Sequence, residues 1–239
     1  MIRCDYSYWT YRVGRQLRLE LRRPTVYRRE TFIVSPTNAD AVRAVDAWPV
    51  WHGGCLALIG PEGSGKTHLA RAWAKRAGAA VLAADKAAST EDLAALQGRP
   101  ILVEDADRGV ADETLFHIIN MAGADGGGLL LTARAAPQAW SATLPDLRSR
   151  LNALPLAELP PPDDIVLEGV LRKFFRERNI KPADDLIPYL LRRIERSAPQ
   201  AQEIVARLDE AADAEQRAVS RALARQILEN DGETLNLFE

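Results

Sequence analysis

The chain has 239 residues, 47% hydrophobic and 27% charged, enough for one large domain or a domain with a small companion. With 31 basic against 33 acidic residues the net charge is −2, so the molecule as a whole exerts no electrostatic pull on nucleic acid. Two cysteines exclude a disulfide framework, three scattered histidines have no ligand spacing, and no apolar run is long enough to suggest a membrane span.

The first 30 residues hold eight arginines against three acids. Such a run reads either as a solvated leader or as a contact for DNA or an acidic partner. Nothing in it resembles the apolar centre of a signal peptide, so a cytoplasmic location is expected. Inside it "QLRLEL", residues 16–21, alternates leucine with charge until Arg22, Arg23 and Pro24 stop the pattern. One strand this short cannot bury itself. It is a peptide for a partner's groove, an edge strand on its own domain, or tail.

"ETFIVSPTNADAVRAVDAW" passes from a strand-like start to a helix, with Asn38 placed to cap it. "CLALIG" (55–60) reads as a buried strand, and "KTHLARAWAKRAG" (66–78) as a helix closed by Gly78. A second strand at 80–85 precedes a helix opened by Ser89 and running through Leu96. "ILVED" (101–105) is a third strand, followed by a helix in "DETLFHIINMAG" and a fourth strand at 128–133. A short helix from Pro145 to Leu151 and a strand at 153–159 complete the alternation. Strands alternating with helices imply an α/β fold, a parallel sheet covered on both faces.

At "PPPDD" (160–164) the character changes, and four helices follow at about 164–178, 183–195, 199–213 and 216–229 on helical periodicity. The expected organisation is a leader at 1–28, an α/β domain at 29–160, a helical domain at 161–230 and a tail at 231–239.

"GPEGSGKT" (60–67) satisfies G-x-x-x-x-G-K-[ST] between a strand and a helix, the context that a phosphate loop requires. Gly60, Gly63 and Gly65 let the backbone amides turn toward phosphate oxygens, with Pro61, Glu62 and Ser64 between them. The helix start adds its positive end. Lys66 is expected to reach the β- and γ-phosphates and Thr67 to offer its hydroxyl to Mg²⁺. The acids ending the third strand are the natural partners: Glu104 on the metal side and Asp105 as general base. Thr132, ending the fourth strand, is placed to sense the γ-phosphate, and Arg148 and Arg150 lie at the sheet's rim.

The order "FIVSPTN", "GPEGSGKTHL", "ILVED", "LLLTA", "LPDLRSRL" and a four-helix tail resembles the AAA+ module of the bacterial initiator DnaA, over about residues 30–230. It is most similar to the Hda type, DnaA-related regulators that consist of this module alone. The resemblance implies a P-loop domain with a small C-terminal all-α lid, and ATP or ADP as ligand. It places Ile33 and Val34 beside the adenine and residues 60–67, with His68 next to them, around the phosphates. Glu104 and Asp105 become the Walker B pair, Thr132 the first sensor, and Arg150 an arginine finger for a neighbour's nucleotide. It also implies that Gln16, Leu17, Leu19 and Leu21 bind the polymerase sliding clamp, that DnaA is a partner, and that the function is negative regulation of replication initiation.

Two departures weaken hydrolysis in cis. Glu104 stands where the family has aspartate, and Pro199 or Gln200 stands where the second-sensor arginine belongs. Self-assembly is a further expectation. No sequence-specific DNA-binding domain is expected in the chain. "TLNLF" (234–238) resembles a second clamp peptide without the glutamine. A helicase loader or DNA-remodelling ATPase, and a non-hydrolysing clamp adapter, are the alternatives.

Overall fold

The computed structural model describes residues 27–83, 95–125 and 127–235. Five parallel strands form one sheet: β1 (Cys55–Ile59), β2 (Ala80–Ala83), β3 (Ile101–Glu104), β4 (Leu129–Ala133) and β5 (Leu156–Glu158), in the order β2-β3-β4-β1-β5. β1 therefore sits inside the sheet, between β4 and β5.

Side chains of a strand alternate between faces, and here the alternation sorts the core into two layers. Cys55, Ala57, Ile101, Val103, Leu129 and Leu131 pack under helices α3 (Asp112–Asp125) and α4 (Pro145–Ala153). The intervening Leu56, Leu58, Leu102 and Leu130 face α1 (Ala39–Asp46) and α2 (Lys66–Ala77). Both faces of the three central strands, β1, β3 and β4, are covered, which is why these strands read as continuous apolar runs rather than alternating ones. Trp73 of α2 is the largest fully buried side chain, stacked on Trp51 with ring centroids 5.1 Å apart.

After the prolines, α5 (Asp164–Glu177), α6 (Leu186–Leu191), α7 (Ala198–Ala214) and α8 (Arg221–Leu235) enclose a separate apolar cluster that includes Leu171, Phe175, Leu190, Ile204 and Leu223. Ser197 caps α7 by accepting from the Gln200 N–H, and Asp163 caps α5 by accepting from the Val166 N–H.

Four local expectations differ from the structure. Residues 32–34 are extended but join no strand; a 3-10 turn (Arg29–Thr31) precedes them. Asn38 does not cap α1. Its Oδ1 accepts from the Ser35 N–H and its Nδ2 donates to the Ile33 carbonyl, so it folds the preceding loop. β5 is three residues long because Pro155 and the proline run bracket it. The last helix begins at Arg221, since the chain turns at Gln216, where φ is +49°. The helix expected at 89–96 lies largely outside the described residues.

Candidate nucleotide site

β1 delivers the chain to the carboxyl edge of the sheet, where it turns into α2 through residues 60–65. Gly60 (φ +150°) and Gly63 (φ +74°) adopt backbone conformations closed to other residues. Both are also crowded. A Cβ on Gly60 would run into the Leu159 carbonyl, and one on Gly63 would lie 2.5 Å from Ser197 Cβ.

Lys66 is 8% exposed, and its Nζ donates to the Gly60 and Pro61 carbonyls at 2.7 and 2.8 Å. Burial pulls its pKa down, Asp105 opposes that, and Arg134, Asp107 and Glu62 add smaller effects. Ser64 Oγ is buried with no partner. Leu69 closes the first turn of α2 onto Gly65, so the amides ahead of it have no acceptor within the helix. A buried ammonium, an unused hydroxyl and a helix start are the donor set that a polyphosphate needs.

The acids beside the loop are arranged less simply. Glu104 is drawn to Arg71 of α2, whose Nε and Nη2 both donate to Oε2, while Oε1 is buried without a partner. Asp105 leaves the strand at φ +50°, and its N–H donates to Thr132 Oγ1 at 3.1 Å. Thr132, 2% exposed, thus sets the backbone of the acid next to it. Asp107 accepts from the Arg134 and Ala135 amides, and the Arg134 side chain pairs with Glu62. Thr67 is exposed on the first turn of α2. Among the described residues no group of three or more His, Cys, Asp or Glu is set to hold a metal ion. Mg²⁺ would fit here through the Thr67 hydroxyl and phosphate oxygens, while Glu104 is engaged by Arg71.

A strap, residues 27–37, and the helices after the prolines, the lid, close over the loop. Phe32 lies against Gly65, and a Cβ on Gly169 of α5 would meet Ile33 Cδ1 at 2.5 Å. Thr37 donates to Asp163, and the Ala198 N–H at the start of α7 donates to the Gly63 carbonyl at 3.2 Å. Val34 is 44% exposed. His68 holds the strap down: Tyr27 and Phe32 meet its ring edge-on, and its Nε2 is 3.0 Å from the Arg28 carbonyl. Burial lowers the His68 pKa, against the Arg28 hydrogen bond. Burial raises that of Asp163, but hydrogen bonds from Val166, Ser35 and Thr37 outweigh it and hold the carboxyl below its ordinary value.

Arg150 is not in this cluster. It is exposed on α4, 5.3 Å over the Phe116 ring, and its charge acts on Cys55, the first residue of β1. The phosphate loop follows the last residue of that strand, about 13 Å away at 3.3 Å per residue. Arg148 donates to the Ala142 carbonyl. Gln16, Leu17, Leu19 and Leu21 lie outside the described residues, as does most of "TLNLF".

Sequence reasoning passed over Arg71, Arg134 and Ser197. The signal for Arg71 was its spacing, four residues after Thr67 and so on the same helix face. Arg134 was a cation one residue past the fourth strand. Ser197 was visible only as the cap of a helix whose start meets the loop.

The profile of the isopentenyl transferase family matches residues 54–108, from the start of β1 through the acids after β3, under a quarter of the chain. By sequence, no curated protein matches. Solved structures do. Domain III of the Thermotoga maritima replication initiation protein DnaA aligns at 18% identity over 85% of this chain and 96% of that one, with a TM-score of 0.68. The fold is therefore that of an AAA+ P-loop domain with its helical lid. The Thermotoga maritima RuvB Holliday junction branch migration motor aligns at 18% identity over 85% of this chain and 72% of its own, with a TM-score of 0.67. DnaA from Aquifex aeolicus, in a structure bound to AMPPCP, aligns at 19% identity and a TM-score of 0.59, covering 76% of this chain and 64% of that one. The chain thus spans less than two thirds of that DnaA. No helix among the described residues is long and apolar enough to cross a membrane.

Proposed function

We propose that this chain is a DnaA-related AAA+ regulator of replication initiation that holds ATP or ADP, with Mg²⁺, at residues 60–67. Through Gln16, Leu17, Leu19 and Leu21 it binds the sliding clamp, and there it meets ATP-bound DnaA in the cytoplasm. The observation that carries the reading is the placement of two incomplete halves at opposite ends of β1. Lys66 and its loop have no arginine from the first turn of α7, and Arg150 lies toward the end of β1 opposite to the phosphate loop.

In an assembly of such modules, Arg150 would enter the partner's nucleotide site. A guanidinium there stabilises the charge that spreads over the transferring phosphoryl oxygens, an effect worth about 10³-fold or more in rate. Asp105, held by Thr132 and facing Lys66, is the group placed to orient an attacking water in this chain's own site. Alternating leucines of an extended peptide fill one apolar groove at about 7 Å spacing, and the glutamine amide hydrogen-bonds at its end.

The test uses purified chain, ATP-loaded DnaA and clamp loaded on DNA. Stimulated hydrolysis is expected with the unaltered chain and with no other component in its place. Arg150→Ala should abolish stimulation with clamp retention unchanged; Gln16→Ala and Leu19→Ala should abolish retention. Lack of stimulation by the unaltered chain sinks the regulator reading. RuvB, a branch migration motor, is as similar in fold, so strong DNA-stimulated turnover by this chain alone would favour a remodelling ATPase instead.

A further inference from the structure

Glu104 ends the strand beside the loop, where a carboxylate would face the ion bound with nucleotide. Its surroundings are unusual for that task. Arg71 donates twice to one oxygen, Oε2, and the Glu104 side chain is only 14% exposed. Its other oxygen is buried with no partner. A charge-assisted double contact of this kind, with the carboxylate shielded and the guanidinium 40% exposed, offsets much of the field of the carboxylate.

Position matters as much as charge. Arg71 and Thr67 are four residues apart on α2, so their backbones are about 6 Å apart along the helix axis and their side chains share one helix face. Asp105 is held differently: its backbone N–H donates to Thr132, and its charge acts on Lys66.

We propose that Arg71 is a built-in counter-cation for Glu104, a positioning residue that takes the part a divalent ion would otherwise play toward that carboxylate. The inference rests on the nucleotide-site reading above and adds to it. Nucleotide in this chain is held by the loop and Lys66 with little help from Mg²⁺, and its own hydrolysis is suppressed because the acid beside the loop is neutralised. The long glutamate has a use under this arrangement: its extra methylene lets the carboxylate reach the turn below.

The probe is a fluorescent (methylanthraniloyl) ADP, titrated into the full chain in EDTA and in excess Mg²⁺. For the unaltered chain the two affinities should agree within about threefold, and Glu104→Gln should behave the same way, because the charge it removes is already cancelled. Arg71→Gln should bind about tenfold more tightly with Mg²⁺ than with EDTA, the equivalent of one exposed carboxylate charge near the ion. Arg71→Lys should restore the unaltered behaviour, and Arg71→Gln combined with Glu104→Gln should erase the gain. A tenfold Mg²⁺ effect in the unaltered chain, or a large loss in Glu104→Gln, overturns the counter-cation. So does an Arg71→Gln gain that survives the second substitution. No ADP binding under any condition fails the nucleotide-site reading itself, a different result from binding that responds to Mg²⁺.

Discussion

The two ends of β1 hold opposite kinds of chemistry. At the carboxyl end, three glycines, a buried lysine and a helix start converge on one small volume, and every element there is held from two sides. At the amino end a single arginine rests on an aromatic ring at the surface. In the proposed reading the first arrangement receives phosphate without a full set of groups for cleaving it, and the second is a charge meant for a partner's site. The difference teaches that binding and activation are divided between molecules in the proposed assembly, and substitutions can separate them.

The largest expected effect is at the amino end. Arg150→Ala should lower partner-stimulated hydrolysis by about 10³-fold, measured as phosphate release, while leaving ADP affinity unchanged. A fall in ADP affinity would erase the contrast, since it would place the arginine in the chain's own site. Next comes Lys66→Ala. Loss of a buried ammonium contact worth about 3 kcal/mol corresponds to roughly 100-fold weaker nucleotide binding by calorimetry.

A smaller effect is expected at the hinge between the strands. Thr132→Val removes the acceptor for the Asp105 amide and should cost about 1–3 kcal/mol in urea unfolding. An equal stability for both proteins would mean that Asp105 does not depend on Thr132.

The smallest is a pH effect at the strap. The His68 pKa is lowered by burial, so the unfolded chain takes up the proton first as the pH falls. The stabilisation is complete above the ordinary histidine value of about 6.5 and is lost as pH drops from there toward the folded value. Melting temperature should therefore fall from pH 7 to pH 5.5, and the slope should flatten in His68→Gln, which keeps an N–H for the Arg28 carbonyl. An unchanged slope would remove His68 as its source.

Most of the sheet was legible because each strand is a short apolar run bounded by glycine, proline or acid, and the burial of β1, β3 and β4 on both faces leaves little ambiguity. The loop was legible for the same reason that it is constrained: only glycine tolerates the turns at 60 and 63. What escaped was set by tertiary contact. Asn38 has the composition of a helix cap, yet its side chain reaches back to Ile33 and Ser35 because the strap must fold over the loop. The strap itself, apolar at Phe32 and Ile33, reads as a strand but is half-buried against the loop and the lid rather than paired. Arg71 looks like any surface arginine of a helix until the sheet brings Glu104 beside it. A pattern of types along the chain carries no information about which acid a helix will face.

The central claim is that residues 60–67 cradle a polyphosphate. Its most direct measurement is equilibrium titration of the purified full chain with ADP and with ATP, beside Lys66→Ala under identical conditions. The account predicts saturable binding of one nucleotide per chain to the unaltered protein, and its loss in a Lys66→Ala protein that melts at the same temperature when no nucleotide is present. Absence of binding to the unaltered chain, or equal binding by both proteins, would contradict it.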